Sequence, residues 1–226
     1  MFEDAQACLS TPKKRVYSIL SHLKRAGWLT VFGRRGRKRL YRLVRPNDAF
    51  FALEKMQHLK QIEQQRYIPL LIKTCRNLWW EYKEDFLSFV LYGSVARGDA
   101  STTSDVDILL VMREGKEKSV GRRLDALYGA VREIESERDF LRHHDILTDV
   151  SFYPLTKKEA ARLLPLYLDI SHEGILLYDP QDFFHQLMVT VKYLMQSYGV
   201  ERKEIGEQWF WELGPNFEIA EIDLEV

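Results

Sequence analysis

Apolar residues repeat with different periods along this chain, and each change of period marks an element. Val16, Ile19, Leu20, Leu23 and Ala26 recur every three or four residues, the stripe of an amphipathic helix. Thr11 is placed to cap that helix with Pro12 at its first position, and Gly27 is placed to close it. A shorter helix is expected at residues 2–9, ended by Ser10-Thr11-Pro12. Residues 28–32 and 40–44 are short β-type runs on either side of a glycine-bearing turn at residues 33–39. Pro46-Asn47-Asp48 breaks the pattern, and residues 49–82 then read as one long helical stretch. Phe50, Leu53, Met56 and Leu59 keep its spacing, and Pro69 starts a new helix or kinks the old one. Leu70, Leu71, Leu78, Trp79 and Trp80 load it with apolar surface suited to core packing or to a dimer interface.

Further on, the apolar runs become short and continuous. Residues 85–92 and 108–111 read as strands, the second opened by Asp105-Val106-Asp107. Residues 121–140 form an amphipathic helix through Leu124, Leu127, Val131 and Ile134, and a β-like run follows within residues 143–153. Strand–helix–strand–helix–strand predicts an α/β (α+β) fold around a small mixed sheet. Residues 173–180 suit a hairpin or short edge strand, residues 183–198 a helix, and residues 215–226 an acidic tail. The expected organisation is an N-terminal module at 1–46, a helical linker at 47–84, a domain bearing the chemistry at 85–180, and a C-terminal helix and tail at 181–226.

Composition narrows the class. With 226 residues, 46% apolar and 29% charged, the chain can bury at least one sizeable core. No apolar run approaches the roughly 18–20 residues of a membrane span. Met1-Phe2-Glu3-Asp4 lacks the charged-then-apolar start of a signal peptide. Cys8 and Cys75 are too few for a disulfide framework or a metal cluster. A soluble, cytoplasmic protein is expected. The net charge of zero hides an asymmetry: residues 1–45 hold 12 Lys/Arg against Glu3 and Asp4, a charge of +10. The remaining 21 basic and 31 acidic residues carry −10. A basic segment on an acidic body points to nucleic acid, or to a well-solvated face.

Helix, Gly27 and a basic hairpin in succession resemble a winged helix-turn-helix module. The resemblance implies DNA binding, with Lys13, Lys14 and Arg15 at the groove-facing end of the helix. Arg34, Arg35, Arg37, Lys38 and Arg39 would then form a wing over phosphates. Such modules have another helix before the first one seen here. Its place would fall to the following helices or to a partner chain, or the module is degenerate. Gly33-Arg34-Arg35-Gly36 also fits a phosphate-clamping GXXG loop, but that loop lies between helices, not strands.

The chemistry concentrates at Gly93-Ser94 and Asp105-Val106-Asp107. Gly93 lets backbone approach a ligand closely, and Ser94 offers a hydroxyl and an N–H where phosphate is favoured. Asp105 and Asp107, two apart on a strand, point to one face with Cα atoms about 6.6 Å apart. Two such carboxylates raise each other's pKa, and Mg²⁺ bridging them to substrate phosphates resolves the conflict. Gly-Ser-Val-Ala-Arg-Gly followed by Ser104-Asp105-Val106-Asp107 resembles the DNA polymerase beta-like nucleotidyltransferases, above all their small prokaryotic minimal branch, over residues 85–180.

That resemblance implies Mg²⁺-dependent transfer of a nucleoside monophosphate from a nucleoside triphosphate, ATP first, to an acceptor left open by the sequence. Two Mg²⁺ would lie roughly 3.5–4 Å apart, clamping the attacking and leaving oxygens. Gly93, Ser94, Arg97 and Ser104 would bind the nucleotide, with a salt bridge to Asp99 as the other role for Arg97. Asp105 and Asp107 would hold metal together with a third carboxylate, Asp149 or Asp145. Asp149 is preferred because it sits inside the β-like run. His143-His144-Asp145 reads as a surface turn, since adjacent strand residues point to opposite faces. A second expectation is a DNA-binding regulator, or an antitoxin-like protein, using this fold for nucleotide sensing or to bind a toxin-like partner. A homodimer is also expected.

Overall fold

In the computed structural model, which describes residues 11–113, 119–206, 208–215 and 217, the first apolar stripe forms α1 (Lys13–Arg25). It begins one residue later than expected. Pro12 is the N-cap, at ψ 144°, and its carbonyl accepts the N–H groups of Arg15 and Val16 at 2.9 and 3.2 Å. The C-terminus is as the glycine dictates: Gly27 adopts φ +77°, the Trp28 N–H donates to the Leu23 carbonyl at 2.9 Å, and the Gly27 N–H donates to Lys24 at 3.1 Å. The helix expected at residues 2–9, Cys8, and all of the acidic tail except Pro215 and Phe217 lie outside the described residues.

The hairpin strands β1 (Leu29–Arg35) and β2 (Lys38–Leu43) are longer than their apolar runs. The ladder continues through charged positions to a two-residue turn, Gly36-Arg37, where Gly36 takes φ +59°. A bulge at Phe32 shifts the register between Val31 and Gly33. The Phe32 ring packs edge-on against Phe140 and His144, with centroids at 5.4 and 4.8 Å.

The helical stretch expected over residues 49–82 divides into two helices, and the new helix at Pro69 is one of the two expected outcomes. α2 (Pro46–Lys55) ends at Met56, 3-10 turns occupy Leu59–Gln61 and Gln65–Tyr67, and α3 (Ile68–Tyr82) starts with Pro69 in its first turn. Proline has no N–H and its ring collides with the carbonyl four residues back, so a helix begins there and does not run through.

From there the chain runs β3 (Phe86–Tyr92), the short α4 (Gly93–Arg97), β4 (Val106–Met112), α5 (Val120–Ala130) and α6 (Glu135–Arg142). Then follow β5 (Val150–Thr156), α7 (Lys157–Ala160), α8 (Leu166–Glu173), β6 (Ile175–Tyr178) and α9 (Phe183–Ser197). A hairpin of β7 (Glu201–Ile205) and β8 (Gln208–Glu212), absent from the sequence-based reading, completes the order. The helix expected at 121–140 breaks at Val131 into α5, a 3-10 turn at Arg132–Ile134, and α6. Val131, Ile134 and Leu141 are all buried by the break.

The mixed sheet has the order β5-β4-β3-β6, with β4 and β5 parallel and the other neighbours antiparallel. One face packs Phe89, Leu91, Ile108 and Leu110 under α2, α3, α5 and α6. The other packs Leu87, Val90, Leu109 and Val111 under α7, α8 and α9. Strands covered on both faces carry continuous apolar runs, which explains why β3 and β4 do not alternate. Ser88, the polar residue in β3, is fully buried and donates to Asp179 Oδ1 at 2.8 Å. Asp179 also accepts the N–H groups of Phe184 (3.2 Å) and His185 (2.9 Å), fixing the start of α9. Among the described residues no helix is long and apolar enough to cross a membrane.

Candidate active site

Register builds the site. Tyr92, the last residue of β3, lies opposite Asp107 on β4, and Gly93 follows at φ +72°. A Cβ on Gly93 would collide with the Asp107 carboxylate. Glycine is thus required twice at this position, once by the left-handed backbone and once by the neighbour. After the single turn of α4, Gly98 reverses the chain at φ +83°, and the Asp99 N–H donates to the Ser94 carbonyl at 3.1 Å.

Asp105 and Asp107 enter β4 on the face that also carries Leu109 and Val111. Asp105 is exposed and Asp107 half-buried. Burial pushes the Asp107 carboxyl above the usual range, the negative charge of Asp105 adds to the shift, and Arg97 opposes it. Burial, with the Asp107 charge behind it, also raises the Tyr92 phenol to about 12.

β5 lies parallel to β4 with Val150 beside Val106, which brings Asp149 next to Asp105. The Asp149 N–H donates to Asp105 Oδ1 at 3.2 Å, and its carbonyl accepts the Val106 N–H at 2.8 Å. The Asp149 carboxylate itself is ion-paired with Arg138 of α6. Among the described residues no group of three or more His, Cys, Asp or Glu converges as a metal cage. Asp145 sits outside the strand, exposed, at φ +60° in the turn after α6. His143 Nδ1 and His144 Nδ1 lie 2.6 and 2.7 Å from the carbonyls of Asp139 and Phe140, finishing that helix.

Arg97 has two carboxylate partners, Asp99 (Nε to Oδ2, 3.0 Å) and Glu173 (Nη1 to Oε1, 2.7 Å). Ser104 shapes the motif loop: its Oγ accepts the Ser101 N–H at 2.9 Å, and its carbonyl accepts the Thr148 hydroxyl at 2.8 Å. A further support escaped the sequence-based reading. Gln64 Nε2 and the Arg66 guanidinium both donate to the Ala100 carbonyl, at 2.9 and 3.0 Å, and the Tyr67 hydroxyl donates to Ser101 at 3.2 Å. These residues lie in non-periodic turns, where no apolar spacing advertises a role. Nor does sequence spacing connect Arg138 with Asp149, or Glu173 with Arg97.

The residues present suit a divalent cation. Two like-charged carboxylates on one face, one with a raised pKa, stand beside a backbone cradle that a side chain would fill. This is the hard-oxygen environment in which Mg²⁺ binds through one or two carboxylates and substrate phosphates.

Residues 71–167, from within α3 to the start of α8, match the family model described as Nucleotidyltransferase domain. No curated protein matches the chain. Among solved structures it is similar to a toxin–antitoxin crystal structure with AMP-PNP, at 15% identity over 57% of this chain and 92% of that one, TM-score 0.36. It is also similar to the toxin–antitoxin MntA-HepT, at 13% identity over 57% and 91%, TM-score 0.32. A proposed nucleotidyltransferase from Sulfolobus solfataricus is similar at 22% identity over 55% and 92%, TM-score 0.28.

Proposed function

We propose that the protein is a Mg²⁺-dependent nucleotidyltransferase that moves a nucleoside monophosphate from a nucleoside triphosphate, ATP in the first instance, to an acceptor hydroxyl or phosphate. The observation that carries this reading is Asp105 and Asp107 on one face, with the Asp107 carboxylate against the bare backbone of Gly93. In this reading Asp105 and Asp107 hold the metal, and Asp149 completes a site for two ions once it leaves Arg138. Mg²⁺ held by these carboxylates would supply positive charge against the triphosphate and the leaving group. Gly93 and Ser94 take the phosphates by close backbone approach, Ser104 keeps the loop in shape, and Arg97 contributes positive charge. The acceptor oxygen bonds to the α-phosphorus while the bond from that phosphorus to the bridging oxygen breaks. Pyrophosphate departs with the electron pair, and the acceptor proton passes to a site carboxylate or to water. Incubation with Mg²⁺ and α-labelled ATP, with and without cell lysate, tests this. Label should move to a macromolecule with the wild type and not with Asp105→Ala; equal labelling by both would overturn the proposal.

A second reading is favoured by the exposure of Lys13, Lys14, Arg15, Arg34, Arg37, Lys38 and Arg39. With Arg35 they would make a winged-helix-like DNA-binding surface, and the protein a regulator or antitoxin-like partner of a toxin-like protein, acting as a single chain or a homodimer. Replacing Arg34, Arg35 and Arg37 should then abolish a DNA mobility shift at moderate salt, and an unchanged shift refutes it.

A further inference from the structure

A cleft of about 330 Å³ separates the hairpin from the turn leading into α3, and Lys24, Arg34, Arg39, Glu63, Gln64 and Arg66 line it. Four cations face one carboxylate. Three features indicate that the cleft is built for an anion and not merely solvated. First, Arg34 and Arg39 are direct partners across the β1–β2 ladder. Like charges placed opposite each other destabilise a hairpin, and a negative charge bound between them relieves that repulsion. Second, the Arg66 Nε–H, a donor, is buried without a hydrogen-bond partner, although the other end of the guanidinium is satisfied by the Ala100 carbonyl. Buried polar atoms normally find partners, and a bound ligand or water would supply them. Third, that carbonyl belongs to the loop running through Ser101 and Ser104 to Asp105, so one wall of the cleft is braced against the motif loop.

We propose that this cleft is the acceptor site, and that it takes one strand of a single-stranded nucleic acid. Lys24, Arg34, Arg39 and Arg66 contact successive phosphates, and the terminal hydroxyl of the strand reaches the α-phosphorus held at Asp105 and Asp107. The cleft holds about 330 Å³, and its four cations outnumber the charges of a lone phosphate, which favours a strand carrying several phosphates. This assignment rests on the transferase reading above.

The experiment measures binding of fluorescein-labelled single-stranded RNA and DNA, and of a duplex, by anisotropy across a salt series, without nucleotide or Mg²⁺. Four phosphate contacts predict that the logarithm of affinity falls with that of salt at a slope of roughly −3 for a single strand. The exposed pair changed together, Arg34→Gln with Arg39→Gln, should halve that slope and weaken binding about tenfold at low salt. Lys192→Gln, exposed on α9, should leave both unchanged. Asp105→Asn should bind as the wild type does while failing to label the strand. Tighter binding of the duplex, or an unchanged slope in the double variant with its circular dichroism intact, overturns the proposal. Strand binding without labelling, by enzyme that labels another acceptor, overturns the acceptor role. An enzyme that labels nothing counts against the transferase reading, and the binding arms still decide the cleft.

Discussion

At Gly93 two independent constraints meet, a left-handed φ and a carboxylate at the position a Cβ would take. Gly93→Ala should lower stability by roughly 1–2 kcal/mol for the backbone strain alone. It should also remove label transfer by displacing Asp107, and thermal melts paired with the transfer assay check both. Asp107 makes a second prediction through linkage. Its folded pKa lies above its unfolded value near 3.8, so the stability it contributes is complete below that value and is lost as pH rises through the folded pKa. At neutral pH the metal-free protein therefore holds a charge that burial desolvates and Asp105 repels, and Asp107→Asn removes it. That variant should melt roughly 2–4 °C higher in a chelator at pH 7, with the gain shrinking toward pH 4 and transfer abolished. Gly93, Ser94, Asp105 and Asp107 were legible in the chain because β3, the motif loop and β4 are consecutive, so local spacing alone puts them at one end of one hairpin-like unit.

Elements that meet across long sequence separations were not legible in the same way. Thr156 and Glu159 form a reciprocal cap at the start of α7, and Glu159 also takes the buried Arg123 of α5 in a two-pronged pair at 2.6 and 3.0 Å. The hydrogen bonds from Arg123 come first among the causes that hold Glu159 down at about 2. A depressed carboxyl contributes stability above its unfolded value near 4.5 and loses it as pH falls through about 2. Glu159→Gln should cost on the order of 1–2 kcal/mol at pH 7, reduced for the 44% exposure of its side chain, and the difference should close between pH 4.5 and 2 in denaturant titrations. Helix α6 gives a prediction for the site. Arg138→Ala frees the Asp149 carboxylate and should lower the Mg²⁺ requirement for transfer roughly threefold, the worth of a part-exposed ion pair. Asp149→Asn should abolish transfer, and if neither variant alters a Mg²⁺ titration of labelling, Asp149 is not the third carboxylate.

On the scale of the whole molecule, the basic N-terminal hairpin is docked on the sheet domain from two sides. Arg42 lies 3.6 Å over the Phe140 ring and pairs with the buried Glu137 at 2.8 Å, while Val31 donates its N–H to Gln65 at 3.1 Å. Gln65 neighbours the residues that brace the motif loop, and Phe140 lies on the same helix as Arg138. The hairpin thus touches both supports of the site. Phe32→Ala removes the two ring contacts of the bulge and should cost about 1–2 kcal/mol locally. Hydrogen exchange would show it: β1 and β2 amides should lose protection while those of β3 and β4 keep theirs.

By itself, the order of residues determined what depends on short range. The stripe and glycine closure of α1, the apolar strands β3 and β4, the glycine cradle and the Asp105/Asp107 pair are all properties of neighbours in the chain, fixed by helix and strand periodicity. The tertiary structure alone decided that the stretch between α2 and α3 takes 3-10 turns, that Asp149 answers to Arg138, and that turns at residues 63–67 brace the motif loop. Those outcomes depend on which surfaces close on one another. A hydrogen bond between residues tens of positions apart leaves no period in the sequence, because its energy is realised only after the sheet has buried both faces.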